Sequence, residues 1–369
     1  MKALAVALAG ATAILAACSR GADSIGATVA DSAGVRTITY AQRPESIPFW
    51  QLDSSPLVSI GVADGEPPYV LSRVVAVIPH GSGHLVADGG SGELRLFDER
   101  GVFVRGAGGA GEGPGEFAML RWIGGVAGDS VYAWDLRLSR ITVFDPELKA
   151  ARVQPLVLEQ PGVHVVVGAL EDGALLVNPF GALEVLPPSP KVIEGEAVYA
   201  LAWAGEGTAD TVVRVRSRPV YVEPEGRVTS VPFGSSPSVV VGTDVIWAGS
   251  GGRGTVSRYS RNGKHELEVR LPPGARVTED MIAASRDSRL RDHGGSERLE
   301  LERVLESIPV PERLPAFDLI RLDDGGNVWM RDFFRPDASM QRWWIMNRAG
   351  ELVGRMDMPR GADRPLHFS

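Results

Sequence analysis

Three aspartates lie at equivalent places in the sequence, and they are the first residues whose spacing could support chemistry. Asp88, Asp135 and Asp332 each follow a short apolar stretch that is typical of a β-strand. If the three carboxylates met on one face of the fold, they could hold a divalent cation. A carboxylate at the end of a strand can also accept hydrogen bonds from backbone N–H groups of the following turn. The recurrence favours this structural role, because an active site is not normally copied into each repeat.

Two arginines form a second pair of matched positions. Arg73 and Arg121 each open an apolar stretch, shortly after a Gly-Glu pair and an aromatic residue. Their side chains could line a channel that attracts anions. They could instead pair with the carboxylates of Glu66 and Glu116, and the sequence leaves both roles open.

Motifs for nucleotide binding or serine catalysis are missing or misplaced. Residues 106–111 match Gly-x-Gly-x-x-Gly, but a Gly-Pro-Gly stretch follows where a dinucleotide site needs the start of a helix. The sequence contains no Gly-x-Ser-x-Gly and no Gly-Lys-Ser/Thr. The remaining candidates for an enzyme site are scattered along the chain: His164, Asn178 and Asp244.

Composition narrows the class of protein. The 369 residues carry a formal net charge of −8 with no basic stripe, which disfavours nucleic-acid binding. The 44 glycines and 26 prolines suit many short strands joined by tight turns. Cys18 is the only cysteine, so the chain can form no internal disulfide and no cysteine-rich zinc site.

The amino-terminal residues have the pattern of an export signal followed by an anchor. A charge-free apolar run over residues 3–13 has the length of a signal-peptide core. Leu-Ala-Ala-Cys at residues 15–18 resembles the bacterial lipobox, which implies a signal peptide over residues 1–17 and a lipid on Cys18. Ser19 is similar to the pattern of lipoproteins sent to the outer membrane. We therefore expect a lipid-anchored protein of the bacterial cell envelope, facing the periplasm or the cell surface.

The rest of the chain contains a repeat. Small and polar residues predict a flexible tether over residues 18–34, and residues 61–71 then match residues 111–120. Each unit reads as four short strands, an arrangement typical of a β-propeller. The sequence predicts an all-β propeller of about six four-stranded blades over residues 35–369, with five full units and a sixth blade drawn from both termini. Helical spacing predicts an insertion over residues 276–308.

The repeat resembles a known family. Residues 96–103, followed by a Gly-Pro-Gly-Glu-Phe element that ends in Gly115, Glu116 and Phe117, look like the six-bladed β-propeller lipoproteins related to NHL-repeat proteins. The resemblance covers roughly residues 35–360. It implies a fold and an exported location, but no activity, because propellers of this kind serve unrelated roles.

Two functions are compatible with these observations. The sequence favours a binding or scaffold module that presents one ring face to a protein, peptide or glycan. The alternative is a metal-dependent hydrolase or lyase, similar to a lactonase, with its site at the channel mouth. No cofactor is predicted beyond a divalent cation for that alternative. We expect a monomer that contacts the membrane through the lipid on Cys18 and does not bind nucleic acid.

Overall fold

A computed structural model describes residues 26–53, 55–159, 163–180, 191–223, 227–333 and 339–359. The predicted signal peptide, Cys18 and residues 360–369 lie outside these ranges. Within them the secondary structure is almost entirely β, and two α-helices interrupt it. No helix of the described part of the chain is both long enough and apolar enough to cross a membrane.

The described chain begins with a hairpin and a short strand: β1 (Ala27–Ser32), β2 (Val35–Tyr40) and β3 (Phe49–Trp50). The hairpin turn places Ala33 and Gly34 at φ of 50° and 80°, the left-handed values that a two-residue hairpin loop requires. Ala27 and Val29 pack against a buried cluster. The flexible tether predicted over residues 18–34 is wrong for residues 27–32, which form a strand whose small and polar side chains hid it in the sequence. Residues 18–25 lie outside the described residues, and there the tether stays a prediction.

Blades 1 and 2 are four-stranded antiparallel sheets with strands in chain order. Blade 1 comprises β4 (Val74–His80), β5 (Gly83–Asp88), β6 (Glu93–Phe97) and β7 (Phe103–Gly108). Blade 2 comprises β8 (Leu120–Val126), β9 (Ser130–Asp135), β10 (Arg140–Phe144) and β11 (Ala150–Pro155). Both match the repeat found in the sequence.

Blade 3 is irregular because its region carries extra strands. Its region contains β12 (Val163–Ala169), β13 (Leu175–Phe180), β14 (Lys191–Ile193), β15 (Glu196–Ala202) and β16 (Ala209–Arg216), followed by β17 (Val220–Val222) and β18 (Val228–Ser230). Strands β12, β13, β15 and β16 form the blade, whereas β14, β17 and β18 form a separate three-stranded sheet.

Blades 4 and 5 complete the described blades. Blade 4 comprises β19 (Ser238–Val241), β20 (Val245–Ser250), β21 (Thr255–Ser260) and β22 (His265–Arg270). Blade 5 comprises β23 (Leu319–Leu322), β24 (Val328–Arg331), β25 (Met340–Met346) and β26 (Leu352–Pro359). Strand β2 adds to β22 in parallel, and β3 adds to β26 in parallel. The N-terminal strands therefore widen blades 4 and 5 at their outer edges, which corrects the expectation that they help to build a sixth blade.

The blades stack face to face around their inner strands. The first strands of successive blades, β4, β8, β12, β19 and β23, lie next to one another in that order. Buried clusters join each blade to the next: Leu85 of blade 1 packs with Ile123 of blade 2, and Trp247 of blade 4 packs with Met330 of blade 5. Strands covered on both faces in this way explain the near-continuous apolar runs in the sequence. The prediction of an all-β propeller is confirmed.

The predicted helical insertion is also confirmed. It contains α1 (Glu279–Leu290) and α2 (Gly295–Ser307), and the Thr278 hydroxyl accepts a hydrogen bond from the Met281 N–H at 3.3 Å, which caps α1. Leu290 and Leu305 pack against Tyr221 of the three-stranded sheet. The helices thus cover the extra strands of the blade 3 region. Residues 274–277 and 312–314 pair through backbone hydrogen bonds and form the base of the insertion, here called the insertion stem.

Candidate functional site

Asp88 and Asp135 hold the loops at one end of their blades. The Asp88 carboxylate accepts hydrogen bonds from the backbone N–H of Arg73 at 2.8 Å and of Gly90 at 3.1 Å. The Asp135 carboxylate accepts them from the N–H groups of Ala118 at 2.7 Å, Met119 at 3.1 Å and Leu138 at 2.9 Å. Each carboxylate therefore ties the turn that follows its strand to the segment that leads into the inner strand.

Both aspartates are buried, with 1% and 0% of their surface exposed. Burial by itself raises the pKa of the Asp88 carboxyl, but the hydrogen bonds from Arg73, Gly90, Ser72 and Ser91 outweigh it, so the pKa lies below its ordinary value. A carboxylate in this setting stays ionised and serves as an acceptor for backbone N–H groups.

Asp332 stands at the matching position of blade 5 and has different partners. Its Oδ1 accepts the indole N–H of Trp344 at 3.0 Å and the guanidinium of Arg43, which also donates to the carbonyl of Ala316. The Arg43 guanidinium lies over the Trp344 ring, 4.9 Å from its centre. The Asp332 side chain is 36% exposed. The carboxylate of Asp332 therefore binds side chains at a surface, whereas those of Asp88 and Asp135 are buried and accept backbone N–H groups, with the Ser72 and Ser91 hydroxyls also donating to Asp88.

The other residues singled out in the sequence lie in structural positions. Arg73 is exposed and donates to the carbonyl of Gly89, and Arg121 is exposed at an irregularity in β8. The Phe117 side chain is 2% exposed in the cluster between blades 1 and 2. Glu116 accepts the N–H of Gly113 at 2.8 Å. Gly115, one residue earlier, has φ of 81°.

The scattered enzyme candidates do not come together. His164 and Asn178 lie on the neighbouring strands β12 and β13, where the Asn178 amide donates to the carbonyl of Val198 at 2.8 Å. Asp244 lies in the turn between β19 and β20 of blade 4. No group of three His, Cys, Asp or Glu side chains among the described residues could hold a metal ion.

A concavity, here called the stem cleft, lies between the insertion stem and blade 5. Its volume is about 820 Å³. That is in the range of sites for small ligands and short peptides. Its described lining comes from three distant parts of the chain: residues 41–43, 272–275, 313–316, 332–333, 339–342, 344 and 357. Because the insertion stem and residues 41–43 are outside the repeat, the lining of the stem cleft combines repeated and non-repeated parts of the described chain.

Polar groups in the stem cleft are arranged in two sets. The first is Arg43 with Asp332, beside which the Gln341 amide donates to the Asp332 carbonyl at 2.6 Å. In the second set, Arg342 donates two hydrogen bonds to the Asp357 carboxylate, at 2.7 and 2.8 Å. The hydrogen bonds from Arg342 lower the pKa of Asp357, and burial opposes them. Both sets place a guanidinium beside a carboxylate at the cleft surface.

A second concavity of about 630 Å³, here called the channel mouth, lies where the inner strands of blades 2 to 5 end. Four carboxylates line it, those of Asp129, Glu171, Asp323 and Asp324, together with Arg348. Asp323 is already bonded to the Asn327 backbone N–H at 2.7 Å and to the indole N–H of Trp329 at 3.0 Å. Arg73 and Arg121, which the sequence offered as candidates for an anion-attracting channel, are not among its lining residues.

The sequence reasoning missed most of the stem cleft. It identified Asp332 through the repeat, but not Arg43, Gln341, Arg342 or Asp357. Arg43 lies 289 residues before Asp332 in the chain, so no local spacing could connect them. One signal was present: Asp332 follows Arg331, whereas the residues before Asp88 and Asp135 are the apolar Ala87 and Trp134.

Comparisons with known proteins give only distant likenesses. No family model and no curated protein match the chain. An exported protein from Bacteroides fragilis is similar in structure, with 12% identity over 85% of this chain and 80% of its own, at a TM-score of 0.44. A virginiamycin B lyase from Staphylococcus aureus aligns at 10% identity over 78% of this chain and 70% of its own, at a TM-score of 0.35.

A member of the duf4221 family from Bacteroides vulgatus is also similar, with 10% identity over 78% of this chain and 82% of its own, at a TM-score of 0.38. Likeness at these scores carries no argument about function. The assignment of the fold therefore rests on the sheets themselves, which make this chain a β-propeller.

Proposed function

We propose that this chain is a lipid-anchored, extracytoplasmic β-propeller that binds a short peptide in the stem cleft. The observation that carries the proposal is the position of Asp332. The matching carboxylates of blades 1 and 2 are buried and hold the backbone N–H groups of neighbouring loops, whereas that of Asp332 opens onto a cleft of about 820 Å³.

The chemistry of the stem cleft favours a peptide over a glycan. Sugar rings bind by stacking on an open aromatic face. The ring of Trp344 is 5% exposed, and Arg43 already lies over it, so it offers no such face. A peptide instead offers alternating N–H and C=O groups and charged ends, which match the two arginine–carboxylate sets on the cleft surface.

The lipid anchor and the cellular location are inferred from the sequence alone. The lipobox at residues 15–18 supports lipid on Cys18, Ser19 supports the outer membrane, and the repeat supports a relation to NHL-type propeller lipoproteins. Mass measurement of the purified wild-type protein and of Cys18→Ser tests the anchor. A diacylated or triacylated wild-type protein, beginning at Cys18, is expected, and an unmodified thiol would contradict it.

Melting curves with a library of defined tri- to hexapeptides test the ligand. Gln341→Ala removes a cleft side chain that donates to the Asp332 carbonyl at 2.6 Å. Gln154→Ala is its matched control, because Gln154 is also partly buried and donates to the carbonyl of Ala204 at 3.1 Å, in blade 2. We expect binding peptides to raise the melting temperature of wild type and Gln154→Ala by several degrees, and that of Gln341→Ala by less than half as much. A shift that is equal in all three proteins, or no shift with any peptide, would contradict the proposal.

The metal-dependent hydrolase or lyase stays a prediction of the sequence. The described part of the channel mouth contributes no set of three ligands to support it. Elemental analysis of the purified protein, followed by a lactone and ester screen if a stoichiometric divalent metal is found, is its test.

A further inference from the structure

Exposed apolar side chains are concentrated in one short segment after the N-terminal hairpin. Phe49 is 45% exposed, Trp50 38%, Leu52 55% and Leu57 100%. We call these four residues the apolar rim. Single exposed apolar side chains are ordinary, but a segment that exposes four of them within a few residues, two of them aromatic, favours contact with something apolar.

The apolar rim begins on the outer edge of blade 5, where β3 pairs with β26. Trp50 lies against Trp329, edge to face, with ring centres 5.8 Å apart. The base of Trp50 is thus fixed by the blade while more than a third of its surface remains exposed. An aromatic side chain that is already held in place loses little further conformational freedom when it inserts into an apolar environment.

The chain enters the domain beside this edge. Strands β1 and β2 lie on the outer edge of blade 4, and the Tyr40 hydroxyl accepts the backbone N–H of Leu352, at the start of β26, at 3.0 Å. The first described residue, Gly26, therefore belongs to the same outer side of the ring as the apolar rim.

Covalent geometry limits how far this side can be from a lipid on Cys18. Eight peptide units separate Cys18 from Gly26, and they span at most about 28 Å when fully extended. That is close to the thickness of the hydrocarbon core of one bilayer. An anchored protein thus keeps the outer side of blades 4 and 5 at the membrane surface.

We propose that the apolar rim contacts the phospholipid bilayer and inserts its aromatic and leucine side chains between the headgroups. This inference rests on the proposed lipidation of Cys18. Tryptophan is favoured at the headgroup level, where its ring is apolar and its N–H can be hydrated. The Arg355 guanidinium, 5.8 Å from the centre of the Phe49 ring, is placed to meet lipid phosphate.

Charge is not what attracts this segment to the membrane. Asp53 lies between the apolar residues, and its carboxylate accepts the backbone N–H of Ser55 at 3.1 Å. An anionic surface would repel it. The rim should therefore dock on zwitterionic lipid, and added salt should change the contact little.

Quenching of tryptophan emission by brominated lipid tests the inference. The lipidated full-length protein is reconstituted into phosphatidylcholine vesicles with and without bromine on the acyl chains. Trp50→Phe is compared with Trp203→Phe, because Trp203 is also 38% exposed but lies on blade 3, two blades away. We expect brominated lipid to quench wild type by up to about one-eighth of its emission, the share of one among its eight tryptophans, and Trp203→Phe, which keeps seven, by up to about one-seventh. Trp50→Phe should lose that quenching.

A second variant guards against a folding defect. Leu57 is fully exposed, so Leu57→Glu removes no contact of the folded protein, yet it should reduce the quenching of Trp50 at least twofold. Quenching that is absent in all proteins, or that disappears in Trp203→Phe instead, would overturn the inference. Flotation of the same vesicles separates the two proposals: protein that floats without quenching contradicts only the apolar rim, whereas protein that neither floats nor carries lipid contradicts the anchor.

Discussion

Blades 1 and 2 differ from blade 5 in how they use one repeated aspartate. Asp88 and Asp135 are the last residues of β5 and β9, and their carboxylates bind backbone N–H groups in the interior. Asp332 lies one residue beyond the end of β24, and its carboxylate binds Arg43 and Trp344 beside the stem cleft. The same residue at the same place in the repeat thus holds a loop in blades 1 and 2 and lines a cleft in blade 5.

The residue before each aspartate explains part of this difference. Ala87 and Trp134 are buried and apolar and pack in the clusters that join neighbouring blades. Arg331 takes this place in blade 5, where its guanidinium binds Asp318 at 2.7 Å. A charged side chain at this position needs polar partners, so the end of β24 becomes polar. In a repeat protein, a binding site can therefore arise in the one blade where a residue that is structural in other blades has different partners.

The largest effect is expected from removing a buried carboxylate. Asp135→Ala leaves three backbone N–H groups without an acceptor, and we expect it to lower the free energy of unfolding by about 3 kcal/mol or more. Asp145→Ala is the control, because Asp145 is in the same blade but accepts one N–H, from Lys149, in a turn. Denaturant unfolding measures both. Equal losses of unfolding free energy in the two variants would show that Asp135 stabilises the fold no more than an ordinary turn aspartate does.

Acid should remove the contribution of Asp88. Its pKa in the folded protein is below the unfolded value of about 3.9, so its carboxylate stabilises the fold fully above that value and loses its effect as the pH falls through the folded pKa. Asp88→Asn should therefore be destabilised by about 2 kcal/mol relative to wild type at pH 7, and by progressively less below pH about 4. Denaturant unfolding between pH 7 and pH 3 measures the difference. A difference that is constant with pH would contradict this role.

A smaller effect is expected at Arg43. Arg43→Gln loses the ion pair with Asp332 and the stacking on Trp344, and should cost about 1 kcal/mol, because the site is open to water on one side. Arg43→Lys should recover only part of this loss, since an ammonium cannot reach both Asp332 and the Ala316 carbonyl in the same plane. Denaturant unfolding of both variants is the measurement. A loss of unfolding free energy as large as that of Asp135→Ala would show that Arg43 has a structural role like that of Asp135.

The smallest effect is expected for the second charged set of the stem cleft. Arg342→Gln breaks a partly exposed pair with Asp357 and should cost about 0.5 kcal/mol. Arg270→Gln, which breaks the exposed pair with Glu268, should cost no more. Raising the salt concentration should reduce the difference in melting temperature between wild type and Arg342→Gln. A loss that salt does not affect would mean that Arg342 supports the blade by packing.

Much of the fold follows from local patterns in the sequence. The five full units and the helical insertion were predictable because strand alternation, glycine turns and the Thr278 cap are properties of neighbouring residues. The parallel addition of β2 to β22 was not, because it joins strands more than 200 residues apart and depends on where the ring brings the edges together. For the same reason, Arg43 could not be assigned to Asp332. The sequence revealed the repeated position but not that one copy has a different use.

The most direct test of this account is the same substitution at the three repeated positions. Asp88→Asn, Asp135→Asn and Asp332→Asn each keep the shape of the side chain and replace one oxygen by an N–H donor. Denaturant unfolding at pH 7 should show losses of about 2 kcal/mol or more for the two buried positions, and of less than about 1 kcal/mol for Asp332→Asn. If Asp332→Asn were destabilised as much as the other two variants, Asp332 would have the same structural role as Asp88 and Asp135. That result would contradict the proposal that the stem cleft is the binding site.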